Sequence, residues 1–167
     1  GTSRDGEDYR KLWMPIVKDL DCETGYMAVL SDNSMDRDDE FMGKSALDDF
    51  VGEEDYLAGL VDHENKILNQ VCKWINRRVV NIKGHDTLIA EPKFFLSNPT
   101  AKILKDMLDE GAQMGISIGA IVKSHENKNI NGKNYRVYTR VEPVEASFVA
   151  VPANKHAHAI AISKSLK

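Results

Sequence analysis

The dipeptide Asn131-Gly132, followed by Tyr135, Val137, Thr139 and Val141 at alternate positions, constrains this chain more than any other feature. Asn-Gly supplies the two left-handed residues of a tight turn, and apolar or β-branched side chains at every second position mark a half-buried strand. A hairpin commits its neighbourhood to an antiparallel sheet. Lys83-Gly84-His85-Asp86 predicts a second tight turn, with residues 87–95 as the returning strand. Residues 11–18 and 25–30 read as further strands joined by a turn over 19–24, and the acidic stretch 32–40 reads as a loop.

Helices are fewer in this reading. Asn98-Pro99 opens one: Asn caps it, Pro takes the first turn, Ala101, Ile103, Leu104, Met107 and Leu108 form its buried face, and Gly111 closes it. Ser45, three residues before Asp48, caps a shorter one through Leu47 and Phe50. Residues 57–82 are ambiguous. Leu57, Leu60, Val61, Leu68, Val71 and Ile75 fit a helical stripe, yet residues 71–82 also fit strand chemistry.

With 167 residues the chain suits one domain, and 42% hydrophobic with 29% charged residues is ordinary globular composition. A net charge of −4 leaves no electrostatic footprint for nucleic acid. No apolar run has the length to span a membrane, and no signal-peptide pattern stands at the start. Cys22 and Cys72 suit a reducing cytosol. Gly1-Thr2-Ser3 reads as a cloning remnant, so the expected division is a remnant or disordered segment over 1–8, one domain over 9–162 and a tail over 163–167. Asp32, Ser34 and Asp36 mimic the first ligands of a calcium loop, but Arg37 stands where glycine is needed and Gly43 where the bidentate glutamate belongs. The calcium reading fails.

Chemistry enters with Gly115-Ile116-Ser117-Ile118-Gly119. A serine between two glycines in a short apolar run is how a backbone exposes a nucleophile at a sharp turn. An α/β-hydrolase would need Ser, then Asp or Glu, then His on a mostly parallel sheet. No Asp follows Ser117, and His156 and His158 come too late in the chain to leave room for further βα units. A different order is present. His63 lies upstream in Leu60-Val61-Asp62-His63-Glu64-Asn65, and Glu145 lies downstream in Val144-Glu145-Ala146-Ser147-Phe148-Val149, just before Pro152-Ala153-Asn154.

That order, from about residue 11 to about residue 160, resembles the tailed-phage prohead (capsid maturation) serine proteases, relatives of the herpesvirus assemblins. The resemblance implies an α+β or mainly β fold: a compact, largely antiparallel β-barrel surrounded by helices. It implies a serine endopeptidase that cleaves scaffolding protein and segments of the major capsid protein, and itself as well. Its place would be inside the assembling prohead in the host cytoplasm. No metal or organic cofactor is implied, nor any nucleic-acid or membrane partner. Assemblin relatives dimerise, so weak homodimerisation is expected.

Ser117, His63 and Glu145 have the residue types the reaction needs. A serine hydroxyl requires a base, imidazole can take and return a proton near neutrality, and a third acceptor fixes the imidazole tautomer. The oxyanion donors would be backbone N–H groups at Ile118 and Gly119, on the turn after the serine. Ala120 and Ile121 stand where basic residues follow the serine motif in the herpesvirus relatives. Other assignments stay open: Glu142 for the third role, His125 for the base, Ser147 for the nucleophile. His85 reads as a solvated turn residue, and His156 with His158 as a metal pair lacking a third ligand. Two other functions are also carried: a non-catalytic capsid-assembly or scaffold-binding module, and a small-molecule serine esterase with a closed pocket.

Overall fold

A computed structural model describes residues 20–35, 39–52 and 55–162. The expected strand over 11–18, the segments 1–8 and 163–167, and Asp36 and Arg37 of the calcium test lie outside those residues.

The strands are β1 (Tyr26–Asp32), β2 (Glu40–Met42), β3 (Ala58–Val61), β4 (Cys72–Ile82), β5 (His85–Phe94), β6 (Met114–Ile130), β7 (Lys133–Val149) and β8 (His158–Ala161). They are hydrogen-bonded in the order β2-β7-β3-β4-β5-β1-β8-β6, and β6 also pairs with β7. That last pairing closes seven strands into a barrel and leaves β2 alongside β7. Closure removes most of the exposed sheet edges that would otherwise recruit other chains.

Turn chemistry explains both long hairpins. Asn131 and Gly132 adopt φ of 53° and 84°, and Lys83 and Gly84 adopt 51° and 87°, so each pair forms a left-handed two-residue turn. In each, an asparagine side chain braces the turn: Asn129 Oδ1 accepts from Gly132 N–H at 3.0 Å and Asn81 Oδ1 from Gly84 N–H at 3.1 Å.

The barrel is mainly antiparallel, but β7 runs parallel to both β2 and β3. Its core holds Tyr26, Ala28, Leu30, Trp74, Ile116 and Phe148. Within it, Trp74 stacks on Phe148 at 5.5 Å between ring centroids, and Phe148 on Phe94 at 5.9 Å. The intervening residues of β1, Met27 and Val29, join Ile82, Ile89 and Ile160 in a second cluster, so β1 is buried on both faces. The side-chain period of two requires that split.

Among the described residues, helices do not surround this barrel. The described residues contain α1 (Lys44–Asp48), α2 (Pro99–Asp109) and a single 3-10 turn over Ile67–Asn69. Asn98 caps α2 as its sequence predicts, its side chain accepting from Thr100 N–H at 3.0 Å. Ala101 and Leu108 are buried, whereas Ile103 and Met107 are exposed, so the buried face of α2 is narrower than its apolar content suggests. Gly43, not Ser45, precedes α1; the Ser45 hydroxyl donates to Thr139 O instead. Between 57 and 82 strand chemistry prevails. The apparent helical stripe comes from two separate strands whose apolar positions fall by coincidence at helical spacing, and Leu68 is exposed between them.

Candidate active site

Register brings the motif residues together on the outer wall of the barrel. In the β6–β7 pairing Ser117 stands opposite Ser147, and Gly119 opposite Glu145. Cross-strand partners project on the same face. In the parallel β3–β7 pairing Ala58 stands opposite Glu145 and Leu60 opposite Ser147, so the chain leaving β3 emerges beside that face.

The exit from β3 is sharp. Asp62 and His63 both adopt left-handed backbone, with φ of 54° and 58°. Non-glycine residues held there cost on the order of 1–3 kcal/mol each, and such strain gathers where function fixes a side chain. The Phe148 carbonyl accepts from Asp62 N–H at 3.0 Å, and the Ser147 hydroxyl oxygen accepts from His63 N–H at 3.0 Å. The turn directs the His63 imidazole back over β7, where Nδ1 meets Glu145 Oε1 in a short hydrogen bond. Glu145 Oε2 accepts from the Ser147 hydroxyl at 2.7 Å. Glu145 and Ser147 are buried, while the His63 side chain is 40% exposed. With Nδ1 engaged, Nε2 is the ring nitrogen available for proton transfer.

One contact and one bulge shape β7 here. From inside the barrel, Trp74 Nε1–H donates to Ala146 O at 3.0 Å, between Glu145 and Ser147. Further along, the register shifts between Gly119 and Ala120, because Val144 is an extra residue on β7 beside Pro143. Proline cannot donate to the ladder, and a bulge of this kind re-aims neighbouring side chains.

Ser117, His63 and Glu145 thus lie on one stretch of the wall, with His63 and Glu145 in contact. Among the described residues no hydrogen bond joins Ser117 to His63; catalytic hydrogen bonds are often long before substrate binds. Ile118 and Gly119 correct the expected turn. They lie inside β6, an unbroken strand, and neither motif glycine has a left-handed φ. The glycines answer to their neighbours instead. A Cβ on Gly119 would stand 2.5 Å from Glu145 Oε1, and one on Gly115 would stand 2.6 Å from Pro152 Cδ.

The other candidates separate from the site. Glu142 forms an exposed ion pair with Lys123, and His125 faces Tyr138 far along the β6–β7 arm. Ser147, weighed as a nucleophile, is fully buried and bridges His63 N–H and Glu145. Its place two residues after Glu145 was the one sequence signal for that bridge. His156 belongs to a second polar cluster that sequence reading missed: its Nδ1 lies 2.6 Å from Asp32 Oδ2, and Asn154 Nδ2 donates to Asp32 Oδ1 at 2.9 Å. His85 packs edge-on against His156 at 5.7 Å. Among the described residues no cluster of three or more His, Cys, Asp or Glu could hold a metal. Burial pushes the Cys22 and Cys72 thiols up, so neither offers a ready thiolate nucleophile.

Two depressions flank the site. One of about 200 Å³ is lined by Ser117, Ile118, Leu30, Met42 and Asn154. The other, a groove of about 550 Å³, is lined by His63 and Glu145 with Tyr56, Ile67 and Val144.

The fold and this wall define a closed β-barrel protein that carries a histidine–carboxylate pair and, on the strand next to the carboxylate's, a half-buried serine. A family model described as Caudovirus prohead serine protease matches residues 17–167, and the chain belongs to that family. It is a serine protease of tailed-phage capsid maturation. No curated protein and no solved structure matches the chain.

Proposed function

We propose that Ser117, His63 and Glu145 form the catalytic triad of an endopeptidase that cuts scaffolding protein and the removable segments of capsid subunits, itself included, inside the prohead in the host cytoplasm. The observation that carries the reading is the His63–Glu145 hydrogen bond, made on the strand that pairs Ser117 with Ser147.

In this mechanism Glu145 holds Nδ1 protonated and leaves Nε2 to accept the Ser117 hydroxyl proton as Oγ attacks the scissile carbonyl. The tetrahedral oxyanion forms beside the backbone at Ile118, while Gly119 leaves room for the Glu145 carboxylate that holds His63. Ile116 N–H donates to Ala157 O, away from β7, and alternation along β6 gives the Ile118 N–H the same sense. Collapse of the intermediate expels the amine, which takes its proton from Nε2, and leaves an ester on Ser117. Water, deprotonated by His63, then hydrolyses the ester and restores the serine. No metal or organic cofactor takes part, and a homodimer is the expected assembly.

Intact-mass detection of a fluorophosphonate adduct tests the assignment. One adduct on the wild type is expected, abolished by Ser117→Ala, strongly slowed by His63→Ala and retained in Ser147→Ala. An adduct persisting in Ser117→Ala would move the nucleophile elsewhere. No adduct on any variant would favour the non-catalytic module.

A further inference from the structure

We propose that the groove beside His63 is the subsite for an apolar residue on the leaving-group side of the scissile bond, about the second or third residue beyond it. This rests on the reading of Ser117 as nucleophile and His63 as its acid and base.

Chemistry sets the direction. The group that returns a proton to the leaving amine must lie on the leaving-group side of the nucleophile. The peptide segment expelled from Ser117 therefore runs past His63, across β7 and toward β3. Ser117, Ser147 and Leu60 line up across β6, β7 and β3, and strands about 4.8 Å apart put β3 about 10 Å from the serine strand. An extended peptide covers that distance in about three residues at ~3.3 Å each.

At that distance the wall changes character. His63 and Glu145 form one side of the groove, and Tyr56, Leu60, Ile67 and Val144 form much of the rest. Tyr56 is 60% exposed, Ile67 79% and Val144 52%, a concentration of apolar surface beside the histidine. The groove is pre-shaped: Tyr56 Oη–H donates to Gln70 Oε1 at 2.7 Å, and Val144 is the residue the β7 bulge pushes outward. Among the described residues Lys66 is the one cation lining it, and the one carboxylate is Glu145, which is engaged by His63 and Ser147. An apolar side chain entering here covers Ile67 and Val144, while the exposed Lys66 keeps its ammonium in water.

The test is cleavage profiling by mass spectrometry on a peptide library made by digesting a bacterial proteome, run beside fluorophosphonate labelling of the wild type. The expected profile shows Leu, Ile, Val, Met or Phe enriched at the second or third residue after the cut. Ile67→Glu should replace that enrichment with basic residues and Ile67→Lys with acidic ones. Each should lower kcat/KM about tenfold for a peptide with Leu there. Such a reversal follows from contact with substrate and not from a structural role, since Ile67 packs little against the protein. A wild type that labels but shows no apolar enrichment there, or whose profile Ile67 substitutions leave unchanged, overturns the subsite alone. A wild type that neither labels nor cuts overturns the catalytic reading and the subsite with it.

Discussion

Gly119 and Glu145 face each other across β6 and β7, and the Glu145 carboxylate occupies the place where a side chain at 119 would begin. The second glycine of the motif thus makes room for the acceptor that holds His63. Gly119→Ala drives its new methyl against the end of a flexible side chain, so the barrel should fold while Glu145 swings off the imidazole. Fluorophosphonate labelling should slow by about 100-fold or more, the scale of an imidazole held in the wrong orientation. The melting temperature should shift by only a few degrees. Labelling at the wild-type rate would show that Glu145 does not orient His63.

Glu145→Gln and Ser147→Ala separate the two halves of the hydrogen-bond bridge. Gln at 145 can still accept from one neighbour but no longer carries the charge that stabilises imidazolium, and labelling should fall about 10²–10⁴-fold. Ser147→Ala removes a buried hydroxyl that accepts from His63 N–H and donates to Glu145, costing about 1–3 kcal/mol of stability. Its labelling should fall much less than that of Glu145→Gln. Equal losses of rate would mean that Ser147, not the carboxylate, holds the imidazole.

Asp32 makes stability depend on acid. Burial pushes its carboxyl up, but hydrogen bonds from His156, Ser34 and Asn154 together outweigh burial and hold it at about 2, below the ordinary 3.8. A carboxylate with a depressed folded-state pKa stabilises the fold above its unfolded pKa, and that contribution is lost as pH falls through the folded value. The loss should amount to about 2 kcal/mol between pH 5 and pH 2. Urea unfolding of Asp32→Asn should show a lower stability at pH 6 and a correspondingly shallower acid dependence in that window. Parallel pH profiles for the two proteins would refute the assignment.

Asn98 does more than cap α2. Its side-chain amide also donates to Leu68 O and Gln70 O, each at 2.8 Å, tying the 3-10 turn and the residue that ends it to the helix start. Asn98→Ala should cost about 2 kcal/mol, the upper end for a lost cap. Asn98→Asp keeps the acceptor for Thr100 N–H but loses both donated bonds, and should fall between Asn98→Ala and the wild type. Urea unfolding measures both.

Several elements are legible in the sequence, because short-range chemistry specifies them. Asn131-Gly132 and Lys83-Gly84 form the turns they predict, and Asn98-Pro99 begins the helix it predicts. Chain order and resemblance single out Ser117, His63 and Glu145, and the fold places them on one wall. The register that unites them was not legible: His63 and Glu145 are separated by 82 positions, and a parallel β3–β7 pairing sets their distance. Neither Asp62 nor His63 announces a left-handed backbone; a local bond from Glu64 N–H to Val61 O closes the turn, and tertiary contacts with Phe148 and Ser147 fix it in place. The ambiguity over 57–82 resolves to strands, because short apolar runs from two strands imitate a helix period.

From residue order alone came the hairpins, the α2 cap, the predominance of β-structure, the resemblance to the prohead proteases and the three residues proposed for catalysis. Each depends on bonds made within a few residues or on the order of motifs along the chain. Tertiary structure decided which carboxylate meets His63, why glycine stands at 115 and 119, and that His156 serves Asp32 instead of a metal pair. Those outcomes depend on the register of strands distant in sequence, and closing the barrel is what fixes that register.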